Sequence, residues 1–230
     1  MSDYRRTFDR ANTFLPVIHV DSKEQALRNA SIAQENGADG VFLINHEIPA
    51  LQLLRAYIHV TDQLPDLWVG LNCLDKGRSA ITMLPNRAAG FWVDDAGIEE
   101  DGPNRLVALK RFNDFRQGLG WQGIYFGGVA FKSRAPVRDP AAAAKAAAPF
   151  VDVITTSGEG TGIAPDLGKI KAMKLAIGTH PLAIASGITP ENVRSFMPYA
   201  DCFLVATGIS HSHTELDPPR VRELARIIRD

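Results

Sequence analysis

The sequence predicts a single (β/α)8 TIM barrel, with eight parallel strands, over residues 1–230. Three observations carry this. Short apolar runs alternate with longer stretches of helical periodicity, eight of each, in a length usual for one such barrel. The runs are apolar throughout rather than every second residue, as in a parallel sheet buried on both faces. No Gly-x-Gly-x-x-Gly follows the first run, which argues against an open dinucleotide-binding sheet.

The first strand is read at 14–20, and a helix then carries Ala26, Leu27, Ala30 and Ala33 on one face. Asp21 and Glu24 are read as that helix's cap, one accepting from an early amide and the other reaching back. Gly37 stops the helix. The second strand, 40–45, leads to a helix with Leu51, Leu54 and Ile58 on one face. The third, 67–74, leads to a helix from Ser79 to Met83. The fourth, 90–95, is followed by a polar loop, 97–104, and then a helix, 106–119. The fifth, 123–131, precedes an alanine-rich helix opened by Asp139-Pro140. The sixth, 151–156, precedes a helix with Leu167, Ile170, Met173 and Ile177. The seventh, 181–186, is followed by Thr189-Pro190, a cap residue with proline in the first turn. The eighth, 202–207, precedes a helix opened by Asp217-Pro218, with Val221, Leu224 and Ile228 facing inward.

A net charge of −1, with 45% hydrophobic and 22% charged residues, gives no basic surface for nucleic acid. No run reaches the roughly 18 apolar residues of a membrane span. Arg5 and Arg6 are followed by no apolar run, so residues 1–8 do not read as a signal peptide, and a cytoplasmic protein is expected. Cys73 and Cys202 read as buried small hydrophobes. Homo-oligomer formation is left open.

In such barrels chemistry gathers where strands end. Those positions carry His19 and Asp21; Asn45, His46 and Glu47; Asn72 and Asp75; Asp94 and Asp95; Lys132 and Arg134; Ser157, Glu159 and Thr161; Ser186; and Thr207, Ser210 and His211. Asp94 and Asp95 point to opposite sides of a strand, and Asp94 is taken as the inward one, a general acid or base. Its alternative is an ion pair with Lys132, which could instead neutralise an anion or polarise a carbonyl. Asn45, Asn72, Asp94 and Lys132 form the expected reacting end. Three glycine turns, through Gly158, Gly160 and Thr161, through Ser186 and Gly187, and through Thr207 and Gly208, are the expected phosphate cradle, because glycine lets amides approach an anion. No cofactor is required. A divalent metal held by His19, His46, Glu47 or His211 with Asp94 is an alternative, and the pair His211-Ser-His213 is its strongest sequence feature.

Residues 151–162, 184–193 and 200–208, with Asp217-Pro-Pro-Arg-Val-Arg222, resemble the BtpA/SgcQ family. Ile18-His19, Gly37-Ala-Asp-Gly40, Asn45, Gly70-Leu-Asn72 and Val129-Ala-Phe-Lys132 extend the resemblance more loosely. It implies a barrel related to ribulose-phosphate-binding enzymes, without a settled reaction. The sequence departs from the family pattern at Gly128, where an aspartate is expected, at Glu159, where a lysine is, and at Ile209, Ser210 and His211, where another lysine is. It also lacks a Leu-Pro-Gly after the first strand. The anion end thereby loses two positive charges, leaving a neutral cradle built from backbone. The reading is an enzyme for a phosphorylated sugar or nucleotide-like small molecule, of lyase, isomerase or glycosyl-transfer type. A metal-dependent enzyme and a non-catalytic assembly factor of the BtpA type are its alternatives.

Overall fold

The structure, a computed structural model, describes residues 3–98, 106–132 and 137–230. Eight parallel strands close into a barrel in chain order: β1 (Thr13–Val20), β2 (Val41–Asn45), β3 (Val69–Asn72), β4 (Gly90–Val93), β5 (Ile124–Gly128), β6 (Val153–Thr156), β7 (Leu182–Ile184) and β8 (Cys202–Val205). Closure is made by β1, which pairs Val17 with Phe42 on one side and Thr13 with Cys202 on the other. The helices are α1 (Asp3–Thr7), α2 (Lys23–Glu35), α3 (Ala50–Gln63), α4 (Val107–Gly118), α5 (Pro140–Ala147), α6 (Leu167–Ile177), α7 (Val193–Phe196) and α8 (Pro218–Arg229). No helix among the described residues is long and apolar enough to cross a membrane.

Alternate residues of each strand face opposite ways, and this divides the core in two. Leu15, Val17, Phe42, Ile44, Trp92, Phe126, Val153 and Leu204 fill the barrel interior. Ile18, Leu43, Leu71, Phe91, Tyr125, Ile154 and Phe203 face the helices. Interior packing is largely aromatic: Phe42 meets Trp92 and Phe126 edge-on, with ring centroids 5.7 and 5.1 Å apart.

Several elements differ from the sequence expectation. Ser22, not Asp21, caps α2: its hydroxyl accepts from the Gln25 amide at 3.1 Å, and Gln25, not Glu24, reaches back to the Asp21 amide. The segment expected as a helix after β3 is 3-10 in form, Gly77–Thr82. After β7 only the single turn α7 forms, starting three residues beyond Pro190. Most of the loop at 97–104, and Arg134, lie outside the described residues.

One element the sequence reading left unassigned closes the amino end of the barrel. Tyr4 and Phe8, one helical turn apart around α1, are buried beneath the interior aromatics. The Tyr4 hydroxyl donates to the Asp201 carbonyl and accepts from the Thr13 hydroxyl, each at 2.8 Å. Buried Asp201 accepts from Lys174 Nζ at 2.7 Å and from the Leu182 amide at 2.8 Å, and pairs with Arg5. Every group in this network finds its partner within the chain.

Candidate active site at the carboxyl end of the barrel

Among the described residues the carboxyl end is open. A cavity of ≈ 520 Å³ sits there, floored by Val17, Ile44, Trp92, Phe131 and Leu204. Its polar lining comes from four directions: Asp94 after β4, Lys132 after β5, Thr161 and Gly162 after β6, and the turns after β7 and β8 with three histidines near them. Trp92 is buried in the floor, and its indole N–H has no hydrogen-bond partner among the described residues. A buried donor left in that state is costly unless something entering the cavity accepts from it.

Asp94 lies two residues beyond inward-facing Trp92 and therefore shares its face. Its Oδ1 accepts from Asn72 Nδ2 at 3.1 Å. Asp95 turns away, and its carboxylate accepts from the Gly97 amide at 2.8 Å. Asn72 is 1% exposed and does not line this cavity: it holds the Asp94 carboxylate from β3, and Asn72 and Asp94 both border a smaller neighbouring opening. Gly128 on β5 makes this placement of Asp94 possible: a Cβ there would stand 2.1 Å from the Asp94 carbonyl oxygen and 2.9 Å from its Cα. No side chain fits at 128 while β4 holds Asp94 in place, so the aspartate that the family resemblance implies there is sterically excluded.

Lys132 Nζ donates to Thr161 Oγ1 at 3.2 Å, and its own amide is held by Ser157 Oγ at 2.7 Å. Half-burial pushes its pKa down, and the Asp94 charge opposes that. The lysine therefore brings its positive charge to the loop after β6, where Glu159 stands in place of the expected lysine.

The three glycine turns are packed backbone on backbone. Gly187 has φ +64°, and a Cβ on it would lie 2.0 Å from the Ala164 amide nitrogen. A Cβ on Gly208 would lie 2.0 Å from the Ile188 carbonyl. Both glycines line the cavity, and their amides donate to no other described residue. Ser186 lines it too, but its hydroxyl is committed: it accepts from the Gly158 amide at 2.7 Å and donates to the Ile163 carbonyl at 2.9 Å. Gly158 faces a neighbouring cavity between α5 and α6, and Gly160 lies outside the first one. Of the expected cradle, Thr161, Gly187, Thr207 and Gly208 come together, while Gly158 and Ser186 lock the loops.

Asn45 is withdrawn from the cavity. Its amide donates to the Ile48 carbonyl and to Asp75, both at 2.8 Å, and its oxygen accepts from the Leu74 amide. All of its hydrogen-bonding reach goes to joining the loops after β2 and β3, and it is 1% exposed.

One feature escaped the sequence reading. Lys169, at the start of α6, donates to the Ala130 and Ser157 carbonyls at 2.7 Å each, and burial pushes its pKa down to about 8. Ala130 itself sits at φ +49°, a left-handed conformation for which alanine is poorly suited. His213, read from the sequence only as the partner of His211, joins two other histidines instead. His19, His46 and His213 converge at the rim, with their nearest ring nitrogens within 4.8 Å of one another. His19 Nδ1 lies 2.9 Å from His213 Nε2, and the His19 and His46 rings overlap at 4.6 Å. Burial, then the neighbouring His46 and His213, push the His19 pKa down to about 3. His46 is pushed down as well, mainly by burial. His211 stays outside, exposed, with Nδ1 3.5 Å from Asp217. Glu47 is exposed and does not line the cavity.

No family model matches the chain. An uncharacterised protein of Pyrococcus abyssi is 30% identical over 78 residues, 34% of this chain and 30% of that protein's length. Among solved structures, phosphoribosyl anthranilate isomerase from Thermus thermophilus is similar, with a TM-score of 0.62 and 16% identity over 94% of this chain and 98% of that one. (S)-3-O-geranylgeranylglyceryl phosphate synthase from Thermoplasma acidophilum, in complex with its substrate sn-glycerol-1-phosphate, has a TM-score of 0.69 and 13% identity over 99% and 98%. At these identities the likeness is one of fold: this chain is a (β/α)8 barrel whose structural relatives include phosphate-ester enzymes.

Proposed function

We propose that this chain is an enzyme acting on a phosphorylated small molecule, of sugar or nucleotide-like type, in the cavity at the carboxyl end of the barrel. The observation that carries the reading is the arrangement of that cavity. The amides of Gly187 and Gly208 stand in one wall, and Lys132 reaches Thr161 in the next. An anion between them meets glycine amides that donate to no described residue, and one ammonium group. Asp94, steadied by Asn72, enters from the adjacent strands, where it can take or give a proton while Lys132 polarises a carbonyl or balances the phosphate. That combination suits an isomerase, lyase or glycosyl-transfer step. Of the two structural neighbours, one is named an isomerase and both are named for phosphorylated compounds, which supports the reading. The BtpA/SgcQ resemblance is retained as the family proposal, with its departures at Gly128 and Glu159.

Ribose 5-phosphate tests this directly, read by thermal unfolding. At a hundred times its Kd, a ligand of the native state stabilises by about 2.7 kcal/mol, roughly 5–10 °C in Tm for a domain of this size. Lys132→Met is expected to weaken the ester about tenfold or more, as loss of a charged hydrogen bond does. No Tm rise with millimolar ester, for this compound and for glycerol phosphates alike, refutes the phosphate reading.

A further inference from the structure

We propose that His19, His46 and His213 form a binding site for a divalent transition-metal ion of the zinc class, with an open coordination position turned toward the cavity. All three residues line the cavity, and they come from three neighbouring parts of the barrel, the carboxyl ends of β1 and β2 and the loop between β8 and α8. Three imidazole nitrogens, with no fourth ligand grouped with them among the described residues, is the composition of an ion that keeps a place for water or substrate. A tetrahedral ion with bonds of about 2.0–2.1 Å sets its nitrogens about 3.3 Å apart. The His19–His213 contact, at 2.9–3.2 Å, is already near that spacing, and the full set lies within 4.8 Å. His46 and His213 are exposed, so modest ring rotations close the remainder.

The surrounding chain holds this arrangement in place. His213 belongs to the loop between β8 and α8, far in sequence from His19, and two buried residues of α2 bind the two together. Gln25 Nε2 donates to the His19 carbonyl at 3.2 Å and also to the Thr214 carbonyl. Asn29 Nδ2 donates to the same Thr214 carbonyl at 3.1 Å, while its oxygen accepts from the Leu216 amide at 2.7 Å. Gln25 is 2% exposed and Asn29 is fully buried. Two buried carboxamides fix the residue next to His213 against the strand end that carries His19. Surface histidines meeting by chance would need no such support. His211, two residues earlier on the same loop, is left outside it.

The ion would add two positive charges beside the turn after β8, where the sequence lacks the lysine that the family resemblance implies. It could bind an oxygen of the substrate or lower the pKa of a bound water there. Metal binding itself does not depend on the phosphate reading, and each can be measured without the other.

The test is titration of the untagged, chelator-treated chain with Zn2+, alongside the visible spectrum of the Co2+ form. The expected result is one equivalent bound with micromolar or tighter Kd. His19→Ala, His46→Ala and His213→Ala should each weaken it by more than about 100-fold, since even outer supports of a metal site are worth about 10–100-fold. His211→Ala should leave affinity unchanged. Gln25→Leu, a positioning change, should weaken binding about 10–100-fold and alter the Co2+ spectrum while all three ligands remain. Sub-stoichiometric binding, or an equal loss in His211→Ala and His213→Ala, overturns the proposal. Ester protection measured on the chelator-treated chain reports separately on the phosphate reading.

Discussion

The two ends of the barrel use similar residues for opposite purposes. At the amino end, Asp201 accepts from Lys174, Arg5 and the Leu182 amide, and Tyr4 satisfies Thr13 and the Asp201 carbonyl beneath the interior aromatics. At the carboxyl end, Asp94, Lys132 and the three histidines ring a cavity, the Trp92 indole N–H has no acceptor among the described residues, and Gly187 and Gly208 line the wall. An ionic network closed within the chain contributes to stability. One opened onto a cavity is held in position by its supports and keeps its chemistry for a ligand. Position along the barrel axis, more than residue type, separates the two roles.

The largest effect that would break this comparison concerns Asp201. Asp201→Ala leaves Lys174, Arg5 and the Leu182 amide without their shared acceptor, and the expected loss is about 3 kcal/mol or more. Lys132→Ala should change stability by less than about 1 kcal/mol, because that ammonium is half-exposed and makes one hydrogen bond. Denaturant midpoints at unchanged m-values measure both. Equal losses would mean that the two ends do not differ in the way described.

Gly128 sharpens the comparison at the next level. Gly128→Ala drives a methyl group into the Asp94 backbone, which should destabilise by about 1–3 kcal/mol and displace the carboxylate as well. Stability and ester affinity should fall together in this variant, whereas Asp201→Ala should lower stability with ester affinity retained below the unfolding transition.

Much of this architecture is legible in the sequence. Eight apolar runs announce eight strands because a parallel barrel buries both faces, and the inward turn of Asp94 follows from strand periodicity. The closure of the amino end was not read, although Tyr4 and Phe8 are spaced one helical turn apart, because five residues of α1 are too short a helix to show periodicity. The site was legible only as a set of strand ends. Sequence places His211 and His213 two residues apart and offers no way to choose between them. The choice is made by Gln25 and Asn29, nearly two hundred residues away, through hydrogen bonds to Thr214. Asn45 likewise looks like any polar strand end until its three bonds to neighbouring loops are seen. Periodicity shows which way a side chain points, whereas its hydrogen-bond partners depend on contacts distant in the chain.

The smallest predicted effect lies at the border between the two kinds of network. Lys169 is structural in its bonds, holding the Ala130 and Ser157 carbonyls at the rim, yet it lines the second carboxyl-end cavity and is only partly buried. Its folded pKa of about 8 lies below the unfolded value of about 10.4. Between those values the unfolded chain binds more protons than the folded one, so this residue's contribution makes stability rise with pH. Below about pH 8 the penalty for keeping the charge buried is fully present, and it is relieved as pH climbs toward 10.4. After allowance for solvent screening at a partly exposed group, the gain is about 1 kcal/mol. Other lysines, tyrosines and cysteines titrate in the same range, so the relevant quantity is the difference between the wild type and Lys169→Met, followed by denaturant midpoint from pH 7.5 to 10.5. The wild type should gain on the variant across that window. A difference that stays flat would show Lys169 to be as well solvated as a surface lysine, and would move it from the structural network to the cavity.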